Sequence, residues 1–180
     1  MTATLANATT KNARRALDFY PTPPDVTVAL MRFLNLPPSK IWEPACGDGS
    51  MAEAIKHFGH EVLATDIRNT GYGISGMDFL ENHGQHDAVI TNPPFNLSEK
   101  FIVHALRQAK LVAMLLKSQY WHARKRAALF ESTPPAFVLA LTWRPDFMNG
   151  ERGGAPTMEC LWTVWIAGNT DTRYRLLHRP

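Results

Sequence analysis

Residues 87–95 read Asp-Ala-Val-Ile-Thr-Asn-Pro-Pro-Phe, and this stretch predicts how the chain folds. The apolar run 88–90 is short and rich in β-branched residues, which is typical of a buried strand in a parallel sheet. The strand must end at Pro93 and Pro94, because each proline lacks the backbone N–H that a sheet ladder needs. We therefore expect a stiff loop at the carboxyl end of this strand, where open α/β sheets bind their ligands.

The loop after this strand presents groups that suit a flat ring bearing an amine. The side-chain oxygen of Asn92 and the carbonyl of Pro93 can accept both hydrogens of an exocyclic amine, while Phe95 stacks on the ring face. A simpler interpretation is a proline-capped turn in which Asn92 bonds to the local backbone. For so short a motif alone, both interpretations are open.

The composition indicates one globular domain of mildly basic charge. The chain has 180 residues, of which 45% are hydrophobic and 19% charged, and its formal net charge is +3. This balance excludes a disordered chain and is compatible with a nucleic-acid partner without requiring one. The two cysteines, Cys46 and Cys160, are far apart, which favours a reducing compartment over a disulfide scaffold or a metal cluster.

No stretch of the sequence indicates a membrane or a secretory signal. No apolar run reaches the ~18 residues that a membrane helix needs. Residues 1–12 are rich in Thr, Ala and Asn and contain no apolar core of a signal peptide. We therefore expect a cytoplasmic protein without membrane contact.

Hydrophobic patterning predicts alternating strands and helices. The predicted helices are one that begins at Asp25, residues 51–58, and residues 98–108 with Ser98 as the cap. Besides the strand in 87–91, the predicted strands are 39–45, 61–66, 111–116, 136–142 and 161–167. We interpret 1–17 as a flexible arm and 169–180 as a basic tail.

A glycine-rich loop lies between the first predicted strand and the helix after it. Residues 43–50 read Glu-Pro-Ala-Cys-Gly-Asp-Gly-Ser, without the Gly-x-Gly-x-x-Gly or Lys-Ser/Thr patterns that bind phosphates. Glu43 and Asp48 would repel a pyrophosphate and attract a ligand that carries an ammonium and a sulfonium. The small residues Ala45, Gly47 and Gly49 would let such a ligand come close to the backbone.

Two further acids follow the glycine-rich loop. Asp66 ends a predicted strand about 20 residues after Glu43, the spacing of an acid that binds ribose hydroxyls, although it is also a possible helix cap. Asp78 precedes an aromatic residue, Phe79, so the pair can accept a hydrogen bond from an adenine amine and cover its ring. The alternative is that Asp78 caps the turn at Glu81.

Two segments near the end of the chain combine cations with aromatic rings. Residues 117–126 include Lys117, Tyr120 and Trp121, a pattern suited to a phosphate backbone and unstacked bases. A solvated helix face with Trp121 in the core is equally open. The long loop 143–159 contains Arg144, Phe147 and Arg152, which can contact a flipped base and its strand.

Taken together, these motifs resemble the S-adenosylmethionine-dependent methyltransferases, and most closely those that modify adenine N6 or cytosine N4 in DNA. Residues 20–24 (Tyr-Pro-Thr-Pro-Pro) resemble the family's N-terminal cofactor motif, 43–49 its glycine-rich motif and 92–95 its catalytic motif. The resemblance covers about residues 18–167. Small stand-alone enzymes of this kind are often encoded by phages or prophages.

The resemblance implies a set of site residues and a cofactor, S-adenosyl-L-methionine, without a metal. The implied catalytic residues are Asn92, Pro93, Pro94 and Phe95. The implied cofactor-binding residues are Tyr20, Thr22, Pro23, Glu43, Pro44, Ala45, Gly47, Gly49, Asp66, Ile67, Asp78, Phe79 and Asn92. The expected substrate-binding residues are Phe95, Lys117, Tyr120, Trp121, Arg144 and Phe147.

The resemblance also implies the fold and the reaction. We expect one Rossmann-like α/β domain over 18–168, with a mostly parallel seven-stranded sheet, helices on both faces and no separate target-recognition domain. The partner would be nucleic acid, first of all double-stranded DNA, and the target base would be flipped out before its amine attacks the methyl group in line. The alternatives are an RNA adenine or protein glutamine methyltransferase, or a cofactor-binding subunit without catalysis. Glutamine-modifying relatives carry Asn-Pro-Pro-Tyr, whereas residue 95 here is Phe.

Overall fold

The computed structural model describes residues 21–122, 124–148 and 155–180. Tyr20, Arg152 and the predicted arm 1–17 lie outside the described residues. The helices are α1 (Pro24–Leu34), α2 (Ser50–Lys56), α3 (Ser98–Ala105) and α4 (Ala127–Ser132), with 3₁₀ turns at Ser118–His122 and Arg124–Arg126. The strands are β1 (Lys40–Glu43), β2 (Glu61–Asp66), β3 (Ile74–Ser75), β4 (His86–Thr91), β5 (Ala109–Lys117), β6 (Phe137–Leu141), β7 (Cys160–Ile166) and β8 (Arg173–Leu177).

The strands form one mixed sheet in the order β3-β2-β1-β4-β5-β7-β6-β8. All neighbouring strands pair in parallel except β7, which runs antiparallel to both β5 and β6. The chain leaves β1 towards β2 on one side and later returns to β4 on the other, so the carboxyl ends of β1 and β4 flank a crevice. In open α/β sheets this is the place where ligands bind.

The predicted α/β class and the mostly parallel sheet are confirmed, but the predicted count of seven strands is wrong for the described residues. The sheet has eight strands because β8 pairs in parallel with β6 inside the segment interpreted as a basic tail. In β8 only Leu177 is buried, while Tyr174 and Leu176 are exposed. An edge strand of this kind is held by backbone pairing and has no buried face for a sequence pattern to reveal.

Helices cover both faces of the sheet, as predicted. On one face α1 and α2 place Leu30, Met31 and Ile55 against strand residues such as Ile90. On the other face α3 packs Phe101 and Ile102 against a second cluster, which includes Trp42. The two clusters exist because successive residues of a strand point to opposite faces, so that each buried strand needs apolar residues at every position.

Strand β4 matches the sequence expectation closely. Its last four residues, 88–91, are all buried, and the chain turns away at Pro93 and Pro94. Strand β4 lies between β1 and β5 in the middle of the sheet. The loop that carries Asn92 is therefore fixed at its start by strands on both sides.

The loop between β2 and β3 packs tightly on the glycine-rich loop. Gly49, directly before α2, has φ +87°, and a Cβ atom built there would lie 2.5 Å from ring atoms of Tyr72. The Tyr72 hydroxyl is held by a hydrogen bond to Glu53, and Lys56 Nζ donates to the same hydroxyl at 2.9 Å. Residue 49 must therefore be glycine for both conformational and steric reasons.

We expect Gly49→Ala to lower the free energy of unfolding by at least ~1 kcal/mol more than Gly71→Ala, measured by urea denaturation. Both glycines have positive φ, but a Cβ at Gly71 meets no atom within 4 Å, so only Gly49 adds a clash to the strain of the left-handed conformation. Equal losses of stability for the two variants would show that Tyr72 does not press on the glycine-rich loop.

Candidate active site

A cleft open to solvent lies at the carboxyl ends of β1 and β4. Its walls come from three of the predicted motifs, which are far apart in the sequence. The lining residues are Pro21 and Thr22, then Glu43, Ala45, Cys46 and Asp48, and finally 92–95. Arg68 and Met51 complete the lining.

The Asn92 side chain lies in the cleft wall directly after β4. Its Nδ2 atom donates a hydrogen bond of 3.1 Å to Oγ1 of Thr22, which is buried. Because the amide group is planar, the other end of the amide, Oδ1, points away from Thr22. The Oδ1 atom of Asn92 can therefore accept a hydrogen bond from a group other than Thr22.

The loop after Asn92 is held by its own backbone. The Leu97 N–H donates to the Pro94 carbonyl at 2.9 Å, and the Ser98 hydroxyl lies 3.2 Å from the carbonyls of Pro94 and Phe95. The expectation that Ser98 caps α3 is wrong, because the helix begins at Ser98 and Leu97 occupies the cap position. Ser98 instead bonds backwards and ties the proline loop to the helix.

The Phe95 ring carries a cation on one face. Lys117, at the end of the neighbouring strand β5, places Nζ 3.6 Å from the centroid of the Phe95 ring. A contact of this kind is a cation–π interaction, which is stronger where water is excluded. Lys117 therefore reaches the loop of residues 92–95, rather than only an outer surface that tracks phosphates.

Glu43 is a buried acid in the cleft wall. Only 2% of the residue is exposed, and Oε2 has no hydrogen-bond partner among the described residues. Burial, together with the negative charges of Asp48 and Asp66, raises the pKa of the Glu43 carboxyl to about 8. A positively charged group in the cleft would relieve both the repulsion and the unmet acceptor.

Asp66 joins the end of β2 to the glycine-rich loop. Its carboxylate accepts hydrogen bonds from the Gly47 N–H at 3.0 Å and from the Arg68 N–H at 2.8 Å. The Arg68 guanidinium donates two more, of 3.0 and 2.9 Å, one to each carboxylate oxygen. Burial alone would raise the pKa of Asp66, but these hydrogen bonds outweigh it and lower the pKa. The next residue, Ile67, is exposed.

The structure does not bring every predicted cofactor residue to the cleft. Among the described ones, Thr22, Glu43, Ala45 and Asn92 line it. Phe79 is only 1% exposed and packs edge-on against Trp42 in the core, so its ring is not available to cover an adenine. The Asp78 carboxylate accepts a hydrogen bond from the Leu80 N–H at 2.9 Å, and the Asp78 backbone carbonyl accepts one from the Glu81 N–H. These contacts match the alternative interpretation, in which Asp78 caps a turn. The others, Pro23, Pro44, Gly47, Gly49, Asp66 and Ile67, lie outside its lining.

Several of the predicted substrate-binding residues pack elsewhere. Phe147 and Tyr120 are buried in the two core clusters, so neither ring is exposed to a flipped base. Trp121 stacks on Phe130 with ring centroids 4.0 Å apart. Arg144 forms an exposed ion pair with Glu159, at 2.7 Å, beside a different pocket. Of this group, Phe95 lines the cleft, and Lys117 contacts the ring of Phe95.

Sequence reasoning gave no role to Arg68, which lines the cleft and covers the Asp66 carboxylate. The sequence signal that could have pointed to Arg68 is its position two residues after Asp66, the acid that ends β2. Among the described residues, no group of His, Cys, Asp and Glu forms a metal site. None of the described helices has the length and apolar character to cross a bilayer.

Known structures share this fold at low sequence identity. A methyltransferase subunit of a type I restriction-modification system from Streptococcus thermophilus matches with a TM-score of 0.70 and 13% identity, over 86% of this chain and 47% of that one. A candidate class I S-adenosylmethionine-dependent methyltransferase from Listeria monocytogenes matches with a TM-score of 0.66 and 13% identity, over 91% of this chain and 67% of that one. A candidate RNA methyltransferase from Pyrococcus horikoshii matches with a TM-score of 0.63 and 14% identity, over 78% of this chain and 80% of that one.

The fold is thus one that class I methyltransferases adopt, and the chain spans less than half of the restriction-modification subunit. No protein-family model matches the sequence, and no curated protein matches it. At these identities the likeness shows the fold, and the activity has to be argued from the site.

We expect Glu43→Gln to remove a pH dependence of stability. The carboxyl has a raised pKa in the folded state, so wild-type stability should fall as the pH rises from about 4.5 to about 8, by at most ~1.4 kcal/mol per pH unit. Asp66, whose pKa is lowered, acts in the opposite sense and only at more acidic pH. Urea denaturation between pH 5 and 8 tests this.

In that experiment the unfolding free energy of Glu43→Gln should exceed that of wild type by a margin that grows with pH. Glu61→Gln is the matched control, because Glu61 is an exposed strand residue. A margin that stays constant with pH would contradict the raised pKa of Glu43.

Proposed function

We propose that this protein transfers a methyl group from S-adenosyl-L-methionine to the exocyclic N6 amine of adenine in DNA. The observation that carries the proposal is the Asn92 amide, which is fixed after β4 with Nδ2 on Thr22 and lies in one cleft with the buried carboxyl of Glu43. The methyltransferases that share the fold support the cofactor and the reaction class. The restriction-modification subunit supports DNA as substrate. The motifs resemble those of enzymes that phages often encode.

Residues in the cleft and beside it fit the proposed cofactor. The unmet acceptor of buried Glu43 suits an ammonium group, and the Asp66 carboxylate suits ribose hydroxyls, which donate hydrogen bonds. The exposed side chain of Ile67, next to Asp66, offers an apolar surface for the adenine of the cofactor. The acidic character of the site favours a ligand with net positive charge over a dinucleotide. When bound, the cofactor supplies a methyl group on a positively charged sulfur.

The proline loop provides the acceptors that the reaction requires. Asn92 Oδ1 and the Pro93 carbonyl accept the two hydrogens of the adenine amine, which localises the nitrogen lone pair as the nitrogen becomes tetrahedral. Phe95 lines the cleft and stacks on the base. The amine nitrogen then forms its bond to the methyl carbon while the carbon–sulfur bond breaks.

The chemistry does not need a strong general base. After transfer the nitrogen carries a positive charge, and its proton leaves to water as the ring recovers its conjugation. The protein contributes position and fixed dipoles, which account for much of the rate in reactions of this kind. This agrees with a loop that offers an amide and carbonyls to the base rather than an acid–base pair.

RNA adenine is a second candidate substrate. The candidate RNA methyltransferase is matched over 80% of its own chain, a larger share than that of the restriction-modification subunit. The same loop would hold adenine from either polymer, so the mechanism would be unchanged. DNA is preferred because the Asn-Pro-Pro-Phe motif resembles that of the DNA amino-methyltransferases.

The test is methyl transfer from isotope-labelled S-adenosyl-L-methionine to unmethylated duplex DNA, followed by mass spectrometry of the nucleosides. N6-methyladenine in DNA would support the proposal. Label in N4-methylcytosine or only in RNA would move the substrate, and cofactor binding without transfer to either polymer would overturn the proposed activity. The sequence context of the modified adenines would then show how selective the protein is.

We expect Asn92→Ala to lower the rate of methyl transfer by at least about a hundredfold, because it removes an acceptor aimed at the reacting amine. The affinity for the cofactor, measured by calorimetry, should stay within about threefold of wild type. Asn96→Ala is the matched control, since Asn96 is an exposed asparagine in the same loop. Turnover that survives in Asn92→Ala would exclude the proposed role of Asn92.

We expect Arg68→Gln to raise the affinity for S-adenosyl-L-methionine by about three- to tenfold. The Arg68 guanidinium occupies both oxygens of the Asp66 carboxylate and adds positive charge to a cleft proposed for a cationic ligand. S-adenosylhomocysteine lacks the sulfonium charge, so its affinity should rise less. Arg107→Gln, at an exposed position that follows α3, is the control. A weaker affinity in Arg68→Gln would instead make Arg68 a direct ligand of the cofactor.

A further inference from the structure

We infer that Thr22 is a positioning residue, whose hydroxyl sets the orientation of the Asn92 amide. The inference rests on the proposed function and deepens it. The resemblance alone placed Thr22 with the cofactor-binding residues. In the structure, however, its Oγ1 atom accepts the hydrogen bond from Asn92 Nδ2 at 3.1 Å.

The amide of an asparagine needs such a partner to be useful in catalysis. The last torsion of an Asn side chain has a broad and roughly two-fold preference, so nothing within the residue fixes the plane of the amide or which end points where. Only Oδ1 can accept a hydrogen bond from the adenine amine. If the amide is reversed, Nδ2 presents two donors to a group that itself donates. An acceptor on Nδ2 therefore selects the productive orientation.

Thr22 is held well enough to serve as this reference. The residue is 6% exposed and precedes two prolines, whose rings fix their backbone φ angles. Helix α1 begins at Pro24, and the Val26 N–H donates to the Pro23 carbonyl at 3.1 Å. The Trp162 side chain on β7 in turn donates from Nε1 to the Val26 carbonyl at 3.1 Å. The segment that follows Thr22 is thus tied to the sheet at a second point, away from Asn92.

The experiment compares three variants with wild type in single-turnover methyl transfer at saturating cofactor and DNA. Thr22→Val keeps the shape of the side chain and removes the hydroxyl, and we expect the transfer rate to fall about tenfold, the effect of one neutral hydrogen bond. Thr22→Ser keeps the hydroxyl and should return the rate to within about twofold of wild type. The affinity for the cofactor should be unchanged in both.

Thr27→Val is the matched control. Thr27 is a fully buried threonine on α1, and its hydroxyl has no hydrogen-bond partner among the described residues. We expect it to leave the transfer rate unchanged. Thermal unfolding of all variants would show whether Thr22→Val folds as wild type does, and the serine variant decides the case if it does not.

A second measurement separates orientation from other roles of Thr22. In the Asn92→Asp background both ends of the side chain are acceptors, so no wrong orientation exists. Where this variant retains transfer, Thr22→Val should cost clearly less in that background than it does in the wild type.

Three outcomes would overturn the inference: a Thr22→Val protein as fast as wild type, a slow Thr22→Ser protein, or equal losses from Thr22→Val in the wild-type and Asn92→Asp backgrounds. A loss of cofactor affinity in Thr22→Val with a normal rate at saturation would return Thr22 to the cofactor site. A wild-type protein that transfers no methyl group to DNA or RNA would remove the proposed function first, and the role of Thr22 with it.

Discussion

The abrupt end of β4 is the constraint on which the site depends. This strand lies in the middle of the sheet, between β1 and β5, and its last four residues are buried. The chain cannot continue the ladder at Pro93, so Asn92 is placed at the rim of the crevice rather than inside the sheet. Hydrogen bonds among Pro94, Leu97 and Ser98 then fix the way out into α3. A rigid loop on a central strand holds a reactive geometry more closely than a free loop would.

Charge in the cleft is balanced around a group of acids. Three carboxyl groups, those of Glu43, Asp48 and Asp66, lie near one another, and Glu43 is disfavoured as an anion by burial and by the other two. The Arg68 guanidinium neutralises part of this charge through Asp66. The negative charge of the cleft region is therefore partly balanced, and the balance depends on the ion pair between Arg68 and Asp66. A ligand that brings its own positive charge enters an environment already adjusted to hold one.

The sequence predicts those parts of the fold in which buried residues produce a recognisable hydrophobic pattern. Strands β1, β2, β4, β5, β6 and β7 coincide with the predicted segments to within a few residues, because each has a buried, apolar stretch ended by turn residues. Strand β3 has only two residues, and β8 is exposed along most of its length, so neither leaves a hydrophobic pattern to detect. The arrangement of motifs around the cleft was also predictable, since the carboxyl ends of parallel strands meet at one edge of the sheet.

The directions of individual side chains were not predictable in the same way. Phe79, Tyr120 and Phe147 each lie in a segment with the right composition for a binding site, yet their rings turn into the core. A large ring gains more free energy from a dry contact than from exposure at a surface, and spacing along the chain does not reveal which contact is available. The contacts of Thr22 with Asn92 and of Arg68 with Asp66 are likewise products of packing.

The hydrogen bond between α1 and β7 affects the order in which the parts of the cleft form during folding. The Trp162 side chain holds the Val26 carbonyl across 136 positions of sequence, so the segment that carries Thr22 docks fully only after β7 has paired with β5. Contacts between residues so distant along the chain form late, because a large loop must close before they can be made. During synthesis the glycine-rich loop and the proline loop emerge well before Trp162. The cleft would therefore take its final form only after β7 has been synthesised and has paired with β5.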